Sequence, residues 1–234
     1  MNSLIRLKIT ILPFFTGLTC FALSPAARAQ CPSICDANLN TAVGDSAFNT
    51  SSIGTENTAI GNSSLTNNTS GSFNAAIGFQ ALLNNSAGHH NTATGVIALF
   101  SNRTGIENTA TGANALSFNT IGSNNTATGV LALGHNTTAS NNTATGSSAL
   151  FNNTTGTDNT ATGFNALVNN TMGGSNTATG LQALNSNTTG GNNTANGEMR
   201  FFSTAPASIT RPKVSKRSFT TQAPLISPLG VMLA

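Results

Sequence analysis

From Asn40 onward the chain returns to one residue pattern every 17 residues, ten times, without an insertion or deletion. The unit reads approximately N-T-A-T-G-x-x-A-L-x-x-N-T-T-G-x-N and begins at Asn40, Asn57, Asn74, Asn91, Asn108, Asn125, Asn142, Asn159, Asn176 and Asn193. A fixed period of this kind marks a stacked-repeat architecture, in which each unit buries its apolar face only against its neighbours. The fifth position is glycine throughout: Gly44, Gly61, Gly78, Gly95, Gly112, Gly129, Gly146, Gly163, Gly180 and Gly197. The ninth is a large apolar residue: Phe48, Leu65, Leu82, Leu99, Leu116, Leu133, Leu150, Leu167 and Leu184. A disordered polar stalk has no use for that regularity, since disorder arises where apolar burial is insufficient.

Seventeen residues with two glycines are too few for two helices, and Asn, Thr and Gly are poor helix formers. The unit is expected to form two short extended segments, N-T-A-T and one centred on x-A-L-x, with corners between them. The fifth-position glycines can supply the positive φ that corners need, as can Gly54, Gly71, Gly88, Gly105, Gly122, Gly156, Gly173 and Gly190. Asn caps turns through its side chain. Stacked coils place identical residues above one another, so backbone bonds and Asn amide ladders run along the axis. The expected fold is all-β: a parallel β-solenoid, or β-roll, of about ten 17-residue coils, roughly 45 Å long at about 4.8 Å per coil. The ninth-position Leu points inward. In N-T-A-T, strand alternation allows either the Ala or its two neighbours to point inward, and Val43, Ile60 and Ile77 argue for burial of the fourth position.

Charge is scarce, at 6% of residues, against roughly 25% in ordinary globular proteins. The sequence pI of about 9.1 misleads, because between residues 40 and 196 only Arg103 stands against Asp45, Glu56, Glu107 and Asp158. Nucleic-acid binding needs a clustered basic face, and none is present in that body. Isolated carboxylates, no Ser-His-Asp or Cys-His arrangement and no phosphate-cradling loop leave no catalytic, cofactor-binding or metal site to assign. His89-His90 is read as solvated surface. Calcium-binding β-rolls carry an aspartate in nearly every turn, whereas Asp45 and Asp158 are far apart. The many N-x-T triplets match glycosylation acceptors but are better explained as the repeat's turn chemistry.

Residues 1–29 read as a signal peptide: Arg6 and Lys8, an apolar run from Ile9 to Leu23, then Ala27-Arg28-Ala29. That run is short for a membrane span, so the mature chain is expected to be exported, without a span, to the medium or the bacterial cell surface. The segment 30–39 carries Cys31 and Cys35, a structural disulfide candidate in an oxidising compartment, within one chain or between chains. The array occupies 40–197. In 198–234 the pattern stops within one residue, Asn vanishes, and a basic tail follows. Reading each codon from the third base of the one before permits Ala at 200, Asn at 210, Gly at 214 and Ala-Leu at 217–218, the repeat's own positions. A frameshift near Glu198 is therefore expected, and the nucleotide sequence decides it.

The N-T-A-I-G of Asn57–Gly61 and N-A-A-I-G of Asn74–Gly78 resemble the head repeat of YadA-like trimeric autotransporter adhesins. The longer N-T-A-T-G-F-N-A-L-V-N-N-T-M-G of Asn159–Gly173 is similar to repeats of phage-fibre-like bacterial surface proteins. The resemblance covers Asn40 to Gly197, and the anchor or chaperone domain that ends such proteins is not apparent here. It implies a homotrimeric β-roll on a bacterial surface, acting in attachment to a host or other surface ligand. A second expectation comes from Thr-Ala-Thr at 92–94, 109–111, 126–128, 143–145, 160–162 and 177–179. With both Thr outward, these ladders resemble the ice-binding face of some β-solenoid antifreeze proteins. A third is a remnant of a larger gene, without present function.

Overall fold

The computed structural model describes residues 36–49 and 51–197. The signal segment, Cys31, Cys35 and the tail from 198 lie outside the described residues. Ten three-residue strands follow one another: β1 (Thr41–Val43), β2 (Thr58–Ile60), β3 (Ala75–Ile77), β4 (Thr92–Thr94) and β5 (Thr109–Thr111). The second half comprises β6 (Thr126–Thr128), β7 (Thr143–Thr145), β8 (Thr160–Thr162), β9 (Thr177–Thr179) and β10 (Thr194–Asn196). They pair in parallel, in sequence order, in one ten-stranded sheet. Every pairing is offset by one whole repeat, Thr109 opposite Thr126 and Ala110 opposite Ala127. The chain is a parallel β-solenoid, as its period dictates.

The second half of each coil is not extended. Ala81 N–H bonds back to the Gly78 carbonyl at 3.3 Å and Asn85 N–H to the Leu82 carbonyl at 3.1 Å. The ninth-position Leu between these turns sits in the left-handed region, Leu82 at φ 50 and Leu133 at φ 51. The seventh and seventeenth positions are left-handed too, as at Gln80 and Phe73. An L residue there costs about 1–2 kcal/mol. Burying a Leu side chain returns about 1.5–3 kcal/mol, and every ninth-position Leu from Leu65 to Leu167 is fully buried. Its N–H also reaches the next coil, Leu82 to the Ala98 carbonyl at 3.0 Å. Propensity loses to packing, which is why a β-favouring alternation could not predict this corner.

The interior is thin: alanines of the third and eighth positions, such as Ala110 and Ala115, with one Leu per coil. Two columns of buried Asn flank it. Asn125 Nδ2 donates to Asn108 Oδ1 at 3.1 Å, and Asn136 Nδ2 donates to Asn119 Oδ1 at 2.8 Å. Both columns also donate to the fifteenth-position carbonyl of their own coil, Asn74 and Asn85 each reaching Gly88 O. No buried side-chain nitrogen or oxygen among the described residues lacks a partner.

The two glycine series differ in purpose. Fifth-position glycines have φ between 118 and 135, a region effectively closed to other residues. Fifteenth-position glycines such as Gly88 are absent from the positive-φ set, so the expected corner role is wrong for them. A Cβ on Gly88 would collide with the Gly105 carbonyl and the Asn85 and Asn102 amides. Close approach of backbone and ladders favours glycine there, and among the described residues Ala139 alone replaces it, buried at 2% exposure.

Candidate functional site

The observed burial resolves the choice left open in N-T-A-T: the Ala points inward and its neighbours outward. Ala110, Ala127, Ala144 and Ala161 are fully buried. Thr109, Thr111, Thr126, Thr128, Thr143, Thr145, Thr160 and Thr162 are all exposed. The expectation of a buried fourth position is overturned, since Val43, Ile60 and Ile77 are 39–43% exposed. The eighth-position Ala and the Leu fill the interior from the opposite wall, so nothing larger than Ala fits on the strand side.

From β4 to β9 the outward face is therefore two files of Thr, six ranks deep. Ten of these twelve residues are exposed, with Thr94 and Thr177 half-buried. Their hydroxyls make no hydrogen bond to another described residue. Thirteenth-position hydroxyls behave differently: Thr137 donates to the Thr154 carbonyl at 3.1 Å and Thr154 to the Thr171 carbonyl at 2.9 Å. One set of hydroxyls is consumed by the fold, and the strand set faces solvent.

Beside this face, past the fifth-position Gly, runs a ridge at a position that varies from unit to unit. The sixth position holds Phe79, Val96, Ala113, Val130, Ser147, Phe164 and Leu181. The five large side chains among them are 38–51% exposed. The signal was available as a column of apolar residues at a fixed offset after glycine. Between β4 and β9, the second, fourth and sixth positions carry no charge.

The histidines are occupied locally. His89 Nδ1 accepts from the Ser72 N–H at 3.0 Å, continuing a column of side-chain acceptors that Ser72 Oγ provides for Thr55 N–H. His90 stacks on Phe73 with ring centroids 4.8 Å apart, and His135 lies 4.2 Å from Phe151 and 5.4 Å from Phe118. Among the described residues, no three His, Cys, Asp or Glu side chains gather as a metal site would need. The triplet asparagines Asn68, Asn136 and Asn153 spend their amides inside the ladder, which is the turn chemistry expected of them.

The ladder begins at a carboxylate. Asp36 Oδ1 accepts from the backbone N–H of Asn38 and Asn40, each at 2.9 Å, and Oδ2 accepts from Asn40 Nδ2 at 3.0 Å. It occupies the place a preceding Asn would take. Slight desolvation opposes ionisation, but the hydrogen bonds from Asn40 and Asn38 prevail and hold the carboxyl below its ordinary 3.8. Comparison with protein-family models, curated proteins and solved structures returns no match to this chain.

Proposed function

We propose that the protein is a non-catalytic, exported repeat protein of the adhesin-head type, acting in attachment at a bacterial surface as a homo-oligomer, with a trimer as the arrangement the resemblance implies. The observation that carries this reading is the sixth-position ridge, where exposed apolar side chains recur at one fixed offset along the rod. Contiguous exposed apolar patches mark interaction sites, and a ridge without charge from Phe79 to Leu181 suits a copy of itself. A ten-coil rod with its backbone bonds along the axis also suits display at a distance from a cell.

Sedimentation equilibrium of the full chain measures assembly, with three chains expected. A monomer at every concentration refutes the oligomer, and Phe79→Ser with Phe164→Ser is expected to shift the population toward monomer. Attachment is measured separately, by retention of the labelled chain on matrix-coated and abiotic surfaces. Retention equal to that of an unrelated protein of the same size refutes the adhesive role.

A further inference from the structure

The threonine face does not follow from assembly along the neighbouring ridge, and its geometry points to a ligand of its own. We infer that the outward face of β4 to β9 binds ordered water, that is, the surface of an ice crystal.

Three properties of the face define what fits it. It is periodic in two directions: about 4.8 Å between ranks and about 6.7 Å between the two Thr of a strand, from the strand spacing and rise. The register does not slip in any pairing from Thr92–Thr109 to Thr162–Thr179. It is neutral, so a charged ligand gains nothing there. Its hydroxyls are left to solvent while the thirteenth-position ones are bonded internally. Each rank thus offers two donor-acceptor hydroxyls and two methyls at fixed separation.

A small molecule would touch one or two ranks and leave the others unused. A periodic solid engages all six together, and many weak contacts on one rigid body add as a multivalent interaction. The face is also pre-ordered: the Asn columns behind it, as at Asn125 and Asn142, fix the ranks before any ligand arrives, which lowers the ordering cost. Among periodic solids, a crystalline polysaccharide calls for aromatic platforms against its sugar rings. No aromatic residue stands in the second or fourth position from Thr92 to Thr179. Water needs no such platform: it donates and accepts at each hydroxyl and orders against the methyl groups between them.

The test uses the full chain and three variants, checked first by thermal melting. Thr128→Lys and Thr145→Lys place a long cation in the middle of the face. Thr138→Lys places the same cation on an exposed corner elsewhere. Thermal hysteresis and partition into slowly growing ice are measured for each. Ice partition by the parent chain, its loss in both face variants and its retention in Thr138→Lys are the expected result. No partition by the parent beyond a size-matched control overturns the proposal. Equal loss or equal retention across the folded variants overturns it too, as does retention on crystalline chitin or cellulose without ice activity.

Discussion

Replacing Asn125 by Ala tests whether the amide columns hold the coils together. Asn125 is fully buried, and its side chain makes four hydrogen bonds. Nδ2 donates to Asn108 Oδ1 at 3.1 Å and to the Ala139 carbonyl at 2.9 Å. Oδ1 accepts from Asn142 N–H at 3.0 Å and Asn142 Nδ2 at 3.3 Å. Truncation leaves these groups unequally exposed to loss. The Ala139 carbonyl keeps Asn136 Nδ2, and Asn142 Nδ2 keeps the Gly156 carbonyl. The Asn142 N–H is orphaned outright. One orphaned buried donor costs about 1–3 kcal/mol, and each other lost bond about 0.5–1.5 kcal/mol where a partner survives. Shared acceptors bring the total to about 2–4 kcal/mol. In a stacked array this loss falls mainly on the interfaces beside the altered coil, so a single melting temperature understates it. Native-state hydrogen exchange reads it locally. At about 1.4 kcal/mol per tenfold, protection of Asn142 N–H and its neighbours drops roughly 30-fold to 1000-fold. A drop below threefold, with Thr138→Ala giving the same, refutes the view that the columns carry the coil interfaces.

Other outcomes are as definite. Leu133→Ala removes a fully buried side chain and is expected to cost about 2–5 kcal/mol by denaturant unfolding. Gly129→Ala forces a φ of 133 and sets its Cβ 2.6 Å from the Gly146 carbonyl; a loss of about 3 kcal/mol or more, or failure to fold, is expected. The Asp36 carboxyl has its folded pKa below the ordinary 3.8, so its contribution is present above that value and is lost as pH falls through the folded one. Because Asp36 is exposed, solvent screening keeps that contribution small. Protection of the Asn38 and Asn40 amides, taken relative to their intrinsic exchange at each pH, should fall below pH 4, and Asp36→Ala should abolish that change.

Much of this architecture was written in the repeat. The period fixed the stacking, the strand N-T-A-T, the inward Leu and the Asn columns, because each of these depends on residue identity at a constant offset. The direction of Thr111 or Ile77 did not follow. Alternation permits either face inward, and the choice depends on how much room Ala115 and Leu116 leave across the interior. The corners do not follow from residue identity either, for a different reason. Ile97 and Leu131 adopt left-handed backbone against their own preference while their N–H groups bond the preceding coil, at Phe79 and Ala113. The two glycine series look alike in sequence, yet Gly95 is required by φ and Gly88 by crowding. The ridge of Phe79, Val96 and Phe164 was legible only as a column, since each residue taken singly is an ordinary exposed hydrophobe.

The unbroken offset of one repeat between neighbouring strands makes length a free variable of this fold. Excising 108–124 would bring Asn91 beneath Asn125, Ala93 beneath Ala127 and Gly95 beneath Gly129, the same contacts the parent chain makes at every step. Duplicating a unit is equally silent. Copy number can therefore drift through unequal recombination without any compensating change, and the rod is a ruler graduated in 17-residue steps whose reach is set by the gene rather than by packing.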